Sequence, residues 1–265
     1  MRTVSRPLPF VLASSNHGTL IVNRNDYRMV DETRGYGVGH QIFQTSAFDP
    51  EEVATALQLL TLRREFFGDG VVAIDGGANI GVHTLEWAKL MHGWGRVIGV
   101  EAQERVFYAL AGNVAINNCF NATVLHAALG AAEGSIIIPR PNYLKPASFG
   151  SLELRQRAGN EFIGQAIDYT PDQGDAVRMI TVDGLGLSRL DFLKLDIEGM
   201  ELEALEGALQ SVERHKPQML VETIKTDAAA LRSLLDKHGY HHFQVGINLL
   251  AIHSSDPSLA RIKVA

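Results

Sequence analysis

Apolar and polar positions change rhythm near Gly70. From Met1 to about Thr45 the pattern is irregular, with one alternating segment, Gly18 to Arg24, that suits a strand of an opening hairpin. Asp49, Pro50 and Glu52 mark a helix start, because an Asp oxygen caps free amides, Pro suits the first turn and Glu favours the positive helix end. Val53, Ala56, Leu57 and Leu60 then form one apolar face that ends near Gly68. Beyond Gly70, short apolar runs lead into glycine or an acid and then into a helical stretch, the signature of βαβ units. Strands are expected at 71–74, 96–100, 122–129, 135–139, 191–196 and 218–222, and helices at 82–90, 105–117, 200–212 and 228–238. A closing pair of strands is expected at 240–252. Between 140 and 178, Pro141, Pro146, Pro171 and several glycines predict a long insertion or loop.

A chain of 265 residues supports one large α/β domain with a small extension, so one core is expected, with 1–48 as an N-terminal cap and 49–265 as the main domain. A hydrophobic share of 46% and a charged share of 20% exclude the disordered and fibrous classes. Net charge is −6 and no long basic run occurs, which argues against a nucleic-acid partner. The single cysteine, Cys119, excludes an internal disulfide. Pro7 and Pro9 break the first apolar stretch and no run approaches a membrane-spanning length of ~18 residues, so a cytoplasmic location is expected.

The strongest local feature runs from Val71 through Asp75-Gly-Gly-Ala-Asn-Ile-Gly81: a buried strand, a glycine-rich turn and a helix. In an open parallel sheet that turn lies at the ligand-binding carboxyl edge. Gly76 and Gly81 have the spacing of a P-loop, but Val82 stands where its lysine must be. Counting from Gly77, Asn79 replaces the second glycine of a dinucleotide fingerprint. Asp75 would repel a pyrophosphate and attract the ammonium or sulfonium of S-adenosylmethionine. Glu101 ends the next strand 26 residues later, where a carboxylate accepts hydrogen bonds from both ribose hydroxyls. Gly76, Gly77 and Gly81 also suit a tight turn with close helix packing.

Several motifs together resemble the FkbM family of methyltransferases over roughly 70–222. Asp75-Gly-Gly-Ala-Asn-Ile-Gly81 is similar to the family's Asp-x-Gly-Ala-Asn-x-Gly, and Gly95-Arg-Val-Ile-Gly-Val-Glu101 to its second strand. Asn113-Val-Ala-Ile-Asn117, Ala127-Ala-Leu-Gly130, Phe192 to Glu201, Leu205-Glu-Gly-Ala208 and Pro217 to Glu222 follow in register. The resemblance implies a class I, Rossmann-like α/β fold: seven strands with the last antiparallel, helices on both faces and a small N-terminal extension. It also implies S-adenosylmethionine as cofactor and methyl transfer to a hydroxyl of a small molecule, such as a saccharide or glycosylated metabolite. Asp75, Gly76, Gly77, Asn79, Gly81, Glu101, Ala102, Ala127 and Asp196 are the expected cofactor contacts. Gln103 stands where the family commonly has Pro, and 1–48 carries no family motif.

Transfer to a hydroxyl needs aligned partners and a base. Asp196 and Glu198 end the fourth strand, beside the first, and if that strand continues their two-residue spacing aims both side chains one way. Asp196 is expected to contact the cofactor or act as base, and Glu198 to position the acceptor; alternatively Glu198 or Glu201 caps the next helix. His83, in the first turn after the glycine loop, is a third catalytic candidate or a helix-terminal hydrogen-bonding residue. Glu222 offers an oxygen ligand alongside Asp196, but two carboxylates distant in sequence assign no metal. Acceptor selection is expected in the cap and in Tyr143 to Ser151. The rival readings are an NAD-dependent oxidoreductase and a non-catalytic S-adenosylmethionine-binding or scaffold protein.

Overall fold

The chain opens with a hairpin of β1 (Phe10–Ser15) and β2 (Gly18–Asn23), in which Ser15 pairs with Gly18. The computed structural model describes residues 6–262, so 1–5 of the expected cap and 263–265 of the expected main domain lie outside it. A second short pair, β3 (Arg28–Met29) and β4 (Gly35–Tyr36), leads into α1 (Val38–Thr45) and α2 (Pro50–Phe67). Asp49 does not cap α2 with its side chain. Its φ of 35° turns the carboxylate toward Gln41, whose Nε2 donates to it at 3.0 Å while the Gln41 Oε1 accepts the Asp49 N–H at 3.1 Å.

The central units follow in order: β5 (Val71–Gly76), α3 (Val82–Leu90), β6 (Gly95–Glu101), α4 (Glu104–Ile116) and β7 (Ala122–His126). Three short strands come next, β8 (Ala128–Leu129), β9 (Gly134–Pro139) and β10 (Gly174–Ile180). The chain then returns through β11 (Phe192–Leu195), α5 (Glu201–Glu206), α6 (Leu209–His215), β12 (Gln218–Glu222), α7 (Ala228–Lys237), β13 (Tyr240–Val245) and β14 (Asn248–His253). Seven strands form one sheet in the order β13-β14-β12-β11-β5-β6-β7. Only β14, the last, runs antiparallel to its neighbours. This is the expected class I methyltransferase sheet.

Strand alternation splits the core into two faces. Val71 and Ala73 pack with α2, α3 and α4 residues such as Leu60, Leu85 and Ala109. Val72 and Ile74 pack on the other face with Leu205, Val212 and Leu235. Each such buried valine, leucine or isoleucine side chain contributes roughly 1.5–3 kcal/mol. Among the described residues no helix is long and apolar enough to cross a membrane.

Three further expectations need correction. The run 122–129 is two strands, because after Ala127 the chain leaves the main sheet and β8 pairs with β10. The expected helix at 200–212 breaks into α5 and α6: the Asp183 N–H takes the Gly207 carbonyl, and the Asp183 carboxylate accepts the N–H groups of Gln210 and Ser211. The stretch 140–178 is not merely a loop. Its last part is β10, paired along β9, and Ala147, Phe149, Leu152 and Ile163 build a small core of their own.

Candidate active site

The sheet order reverses between β5 and β11, since the chain runs outward through β6 and β7 before returning to the other side of β5. A crevice forms at such a point beyond the strands' carboxyl ends. A cavity of about 420 Å³ occupies it, within the ~300–1,000 Å³ typical of ligand sites.

The glycine loop after β5 makes one wall. Gly77 has φ 77°, and a Cβ there would lie 1.8 Å from the Asp196 carbonyl oxygen, so the loop closes against the end of β11 only because that position is glycine. Asn79, which replaces the fingerprint glycine, also has a positive φ, of 49°. Its N–H donates to Glu101 Oε2 at 2.9 Å and its own Oδ1 accepts the Ile80 N–H at 2.7 Å. Asn113, fully buried on α4, donates to the Ile80 carbonyl and accepts the Ile21 N–H of β2, so one side chain ties hairpin, helix and glycine loop together.

Glu101 lines the cavity at the end of β6, with Oε1 taking the Gln103 N–H at 2.8 Å. Burial raises its pKa to about 7, against the N–H groups of Gln103, Asn79 and Ala102, which lower it, and with a small further push from Asp75. A proline at 103 would lack the N–H that holds Glu101. Gln103 adds a second link: its Nε2 donates to the Phe149 carbonyl and its Oε1 accepts the Tyr143 hydroxyl.

Of the expected cofactor contacts, Gly77, Asn79, Glu101, Ala102, Ala127 and Asp196 line the cavity. Asp75, Gly76 and Gly81 lie behind that wall. Asp75 is 1% exposed; Thr84 Oγ1 donates to Oδ2 at 2.6 Å, and Oδ1 is buried with no partner among the described residues. Its charge therefore acts on the site from beneath.

The catalytic candidates converge. His83, Asp196 and Glu198 all line the cavity. Strand β11 ends at Leu195, so the expected alternation does not bring Asp196 and Glu198 together. A tight turn does: Glu198 has φ 57° and Gly199 φ 96°, and the buried Glu201 carboxylate accepts the N–H groups of Ile197 and Gly199. His83 is 5% exposed, with Nε2 3.0 Å from Glu52 Oε1 and both ring nitrogens buried. The Asp196 side chain, 36% exposed, is more open than that of Glu198 at 14%.

Two lysines and several cap residues went unassigned in the sequence. Lys194 lies in the middle of β11, 2% exposed, and donates to Asp196 Oδ2 at 2.8 Å. Burial alone would lower its pKa, but the Asp196, Glu52 and Asp75 carboxylates outweigh burial and raise it. A lysine inside an otherwise apolar central strand was the available signal. Lys225 donates to Glu198 Oε2 at 2.5 Å, to the Ser151 carbonyl at 3.0 Å, and pairs with Glu161 Oε2 at 2.9 Å. Burial pushes Glu198 and Glu222 upward, and the neighbouring Asp196 carboxylate adds to both shifts. Glu52 stays well below the carboxylate range, at about 2: burial opposes this, and His83, Lys194 and Asn248 overcome it.

The cap also lines the cavity with Tyr36 and Gln41, the residue before α2 with Asp49, and the insertion with Ser148, Gly150, Ser151 and Glu161. Tyr143 and Phe149, expected to meet the acceptor, instead pack on each other at 4.8 Å between ring centroids. They serve the insertion's own core.

The family model for the methyltransferase FkbM domain matches residues 75–241. Methyltransferase sdnD of Sordaria araneosa is 26% identical over 188 residues, which cover 63% of this chain and 72% of that protein. Among solved structures, the methyltransferase FkbM of Methylobacillus flagellatus superposes with a TM-score of 0.46 at 19% identity, over 70% of this chain and 43% of that one. The chain thus spans less than half of that relative's length. The precorrin-6y C5,15-methyltransferase of Geobacter metallireducens gives 0.43 at 16% identity, over 79% and 89%. The family match spans the glycine loop, Glu101, Asp196, Glu198 and Glu222, which sets the oxidoreductase reading aside. The chain belongs to the FkbM family of S-adenosylmethionine-dependent methyltransferases.

Proposed function

We propose that this enzyme methylates a hydroxyl group of a small polyhydroxylated acceptor, a saccharide or glycosylated metabolite. When bound, S-adenosylmethionine supplies a methyl group activated by its sulfonium. Glu101 accepts the ribose hydroxyls, Ala102 and Ala127 flank the base, and Gly77, Asn79 and the loop they shape receive the methionine end. Asp75, Gly76 and Gly81 hold that loop from behind. The residues fit such a ligand: Gly77 leaves no room for a Cβ, and the orphaned Asp75 Oδ1 adds negative charge beneath a cationic guest.

The observation that carries the reading is the convergence of Asp196 and Glu198 on one cavity wall, each braced by a lysine. Asp196, the more open of the two, takes the acceptor's hydroxyl proton, and Glu198 positions the acceptor. His83 lines the same cavity with its nitrogens buried against Glu52, so it supports this wall. Acids outnumber lysines along the cavity and a tyrosine lines it, which favours a neutral hydroxylated acceptor over a nucleic acid. A cytoplasmic location accords with such a substrate.

Asp196→Asn tests the assignment through calorimetric titration with S-adenosylmethionine and turnover on a hydroxylated acceptor panel. Turnover falls by about 100-fold or more, as loss of a general base entails, while cofactor affinity stays within a few-fold. Unchanged turnover removes Asp196 from the catalytic role.

A further inference from the structure

Asp196, Glu198 and Glu222 each offer an oxygen within 4.8 Å of the others, at the adjacent ends of β11 and β12. Lysines compensate two of them: Lys194 holds Asp196 Oδ2, and Lys225 holds Glu198 Oε2. Among the described residues no lysine is bonded to Glu222. The residue is 6% exposed, lines the cavity, and its Oε2 is buried with no hydrogen-bond partner among the described residues. Burying a carboxylate oxygen without a partner is costly, so such an atom points to a ligand.

We propose that these three carboxylates bind one hard divalent cation of the Mg²⁺ and Mn²⁺ class, which receives the acceptor hydroxyl. Oxygens bound to one such ion at about 2.0–2.2 Å stand at most about 4.4 Å apart, so side chains whose oxygens lie within 4.8 Å of one another close on the ion with a small side-chain movement. The donor set contains neither sulfur nor imidazole, as hard cations prefer. The backbone is bent to make the cluster: Glu198 occupies the left-handed region, and Glu201 holds the turn that folds it back beside Asp196. Each lysine uses one carboxylate oxygen and leaves the other for the ion. A hydroxyl on the cation loses its proton more readily, and Asp196 Oδ2 retains a lone pair to receive it.

The inference deepens the hydroxyl-methylation reading and rests on it for the cation's use, but cation binding is measured with neither cofactor nor acceptor present. The wild-type chain is titrated with MnCl₂ while the electron paramagnetic resonance signal of free Mn²⁺ is followed, then challenged with Mg²⁺. Glu222→Gln and Glu198→Gln are run beside it, with S-adenosylmethionine affinity as the check that each variant is folded. One saturable Mn²⁺ per chain, displaced by Mg²⁺ and weakened at least tenfold in both variants, is the expected result. No saturable binding to the wild type overturns the proposal, as does binding equal in wild type and variants. Loss of Mn²⁺ binding alone leaves hydroxyl methylation to be decided by Asp196→Asn.

Discussion

Single residues were legible in the sequence where their chemistry is local. Asp75, Glu101 and Asp196 stand out as candidates because an acid at the end of an apolar run is conspicuous. What each touches was not legible, since Asp75 turns to Thr84 behind the loop while Glu101 faces the cavity. Glu101 gives a prediction with a defined sign. Its pKa is raised to about 7 by burial, and ribose hydroxyls hydrogen-bond to its ionised form, so binding S-adenosylmethionine releases a proton below that pH. Affinity therefore increases as pH rises through 7 and levels off above it. Between pH 6 and 8 calorimetry should record a gain of about tenfold, the effect of one pKa unit, and Glu101→Gln should flatten the profile. A flat wild-type profile removes Glu101 from the ribose.

Elements were legible wherever hydrophobic period and punctuation agreed, as in β5, α3 and the β13–β14 pair. The exceptions arose where a distant group intervened. Nothing local in 200–212 announces that Asp183 enters the helix and begins a second one. Asp183→Ala removes the acceptor for the first amides of α6, which costs about 1 kcal/mol for such a cap. In a chain of this size that lowers the melting temperature by roughly 2–4 °C. Asp183→Asn, a comparable cap, should stay near wild type; equal melting of Ala variant and wild type would exclude the capping role.

Across the whole molecule, the cavity exists because the cap and the insertion, far apart in sequence, close over the sheet. Asp26 clamps them: its carboxylate accepts the Gly39 N–H at 2.9 Å and the Phe149 N–H at 3.0 Å, and a bridge pairs Asp26 with Ala147. Burial raises Asp26 to about 6 despite those two donors. Asp26→Ala leaves both amides buried and unsatisfied, a loss of roughly 2–5 kcal/mol. Chemical denaturation should show it, together with weaker S-adenosylmethionine binding as both walls loosen. Wild-type affinity in the variant would show that the clamp is not needed for the site.

The sequence by itself determined the βαβ units and the ligand-binding edge, and through its resemblance to the FkbM family the seven-stranded class and the cofactor, because strand period, turn glycines and terminal acids are properties of consecutive residues. The tertiary structure alone decided which charges meet. Glu52 beside His83, Lys225 beside Glu198, and Glu222, whose Oε2 has no partner among the described residues, join separate segments. Their contacts depend on the β11 turn and on the sheet order, which bring together groups that sequence spacing cannot relate.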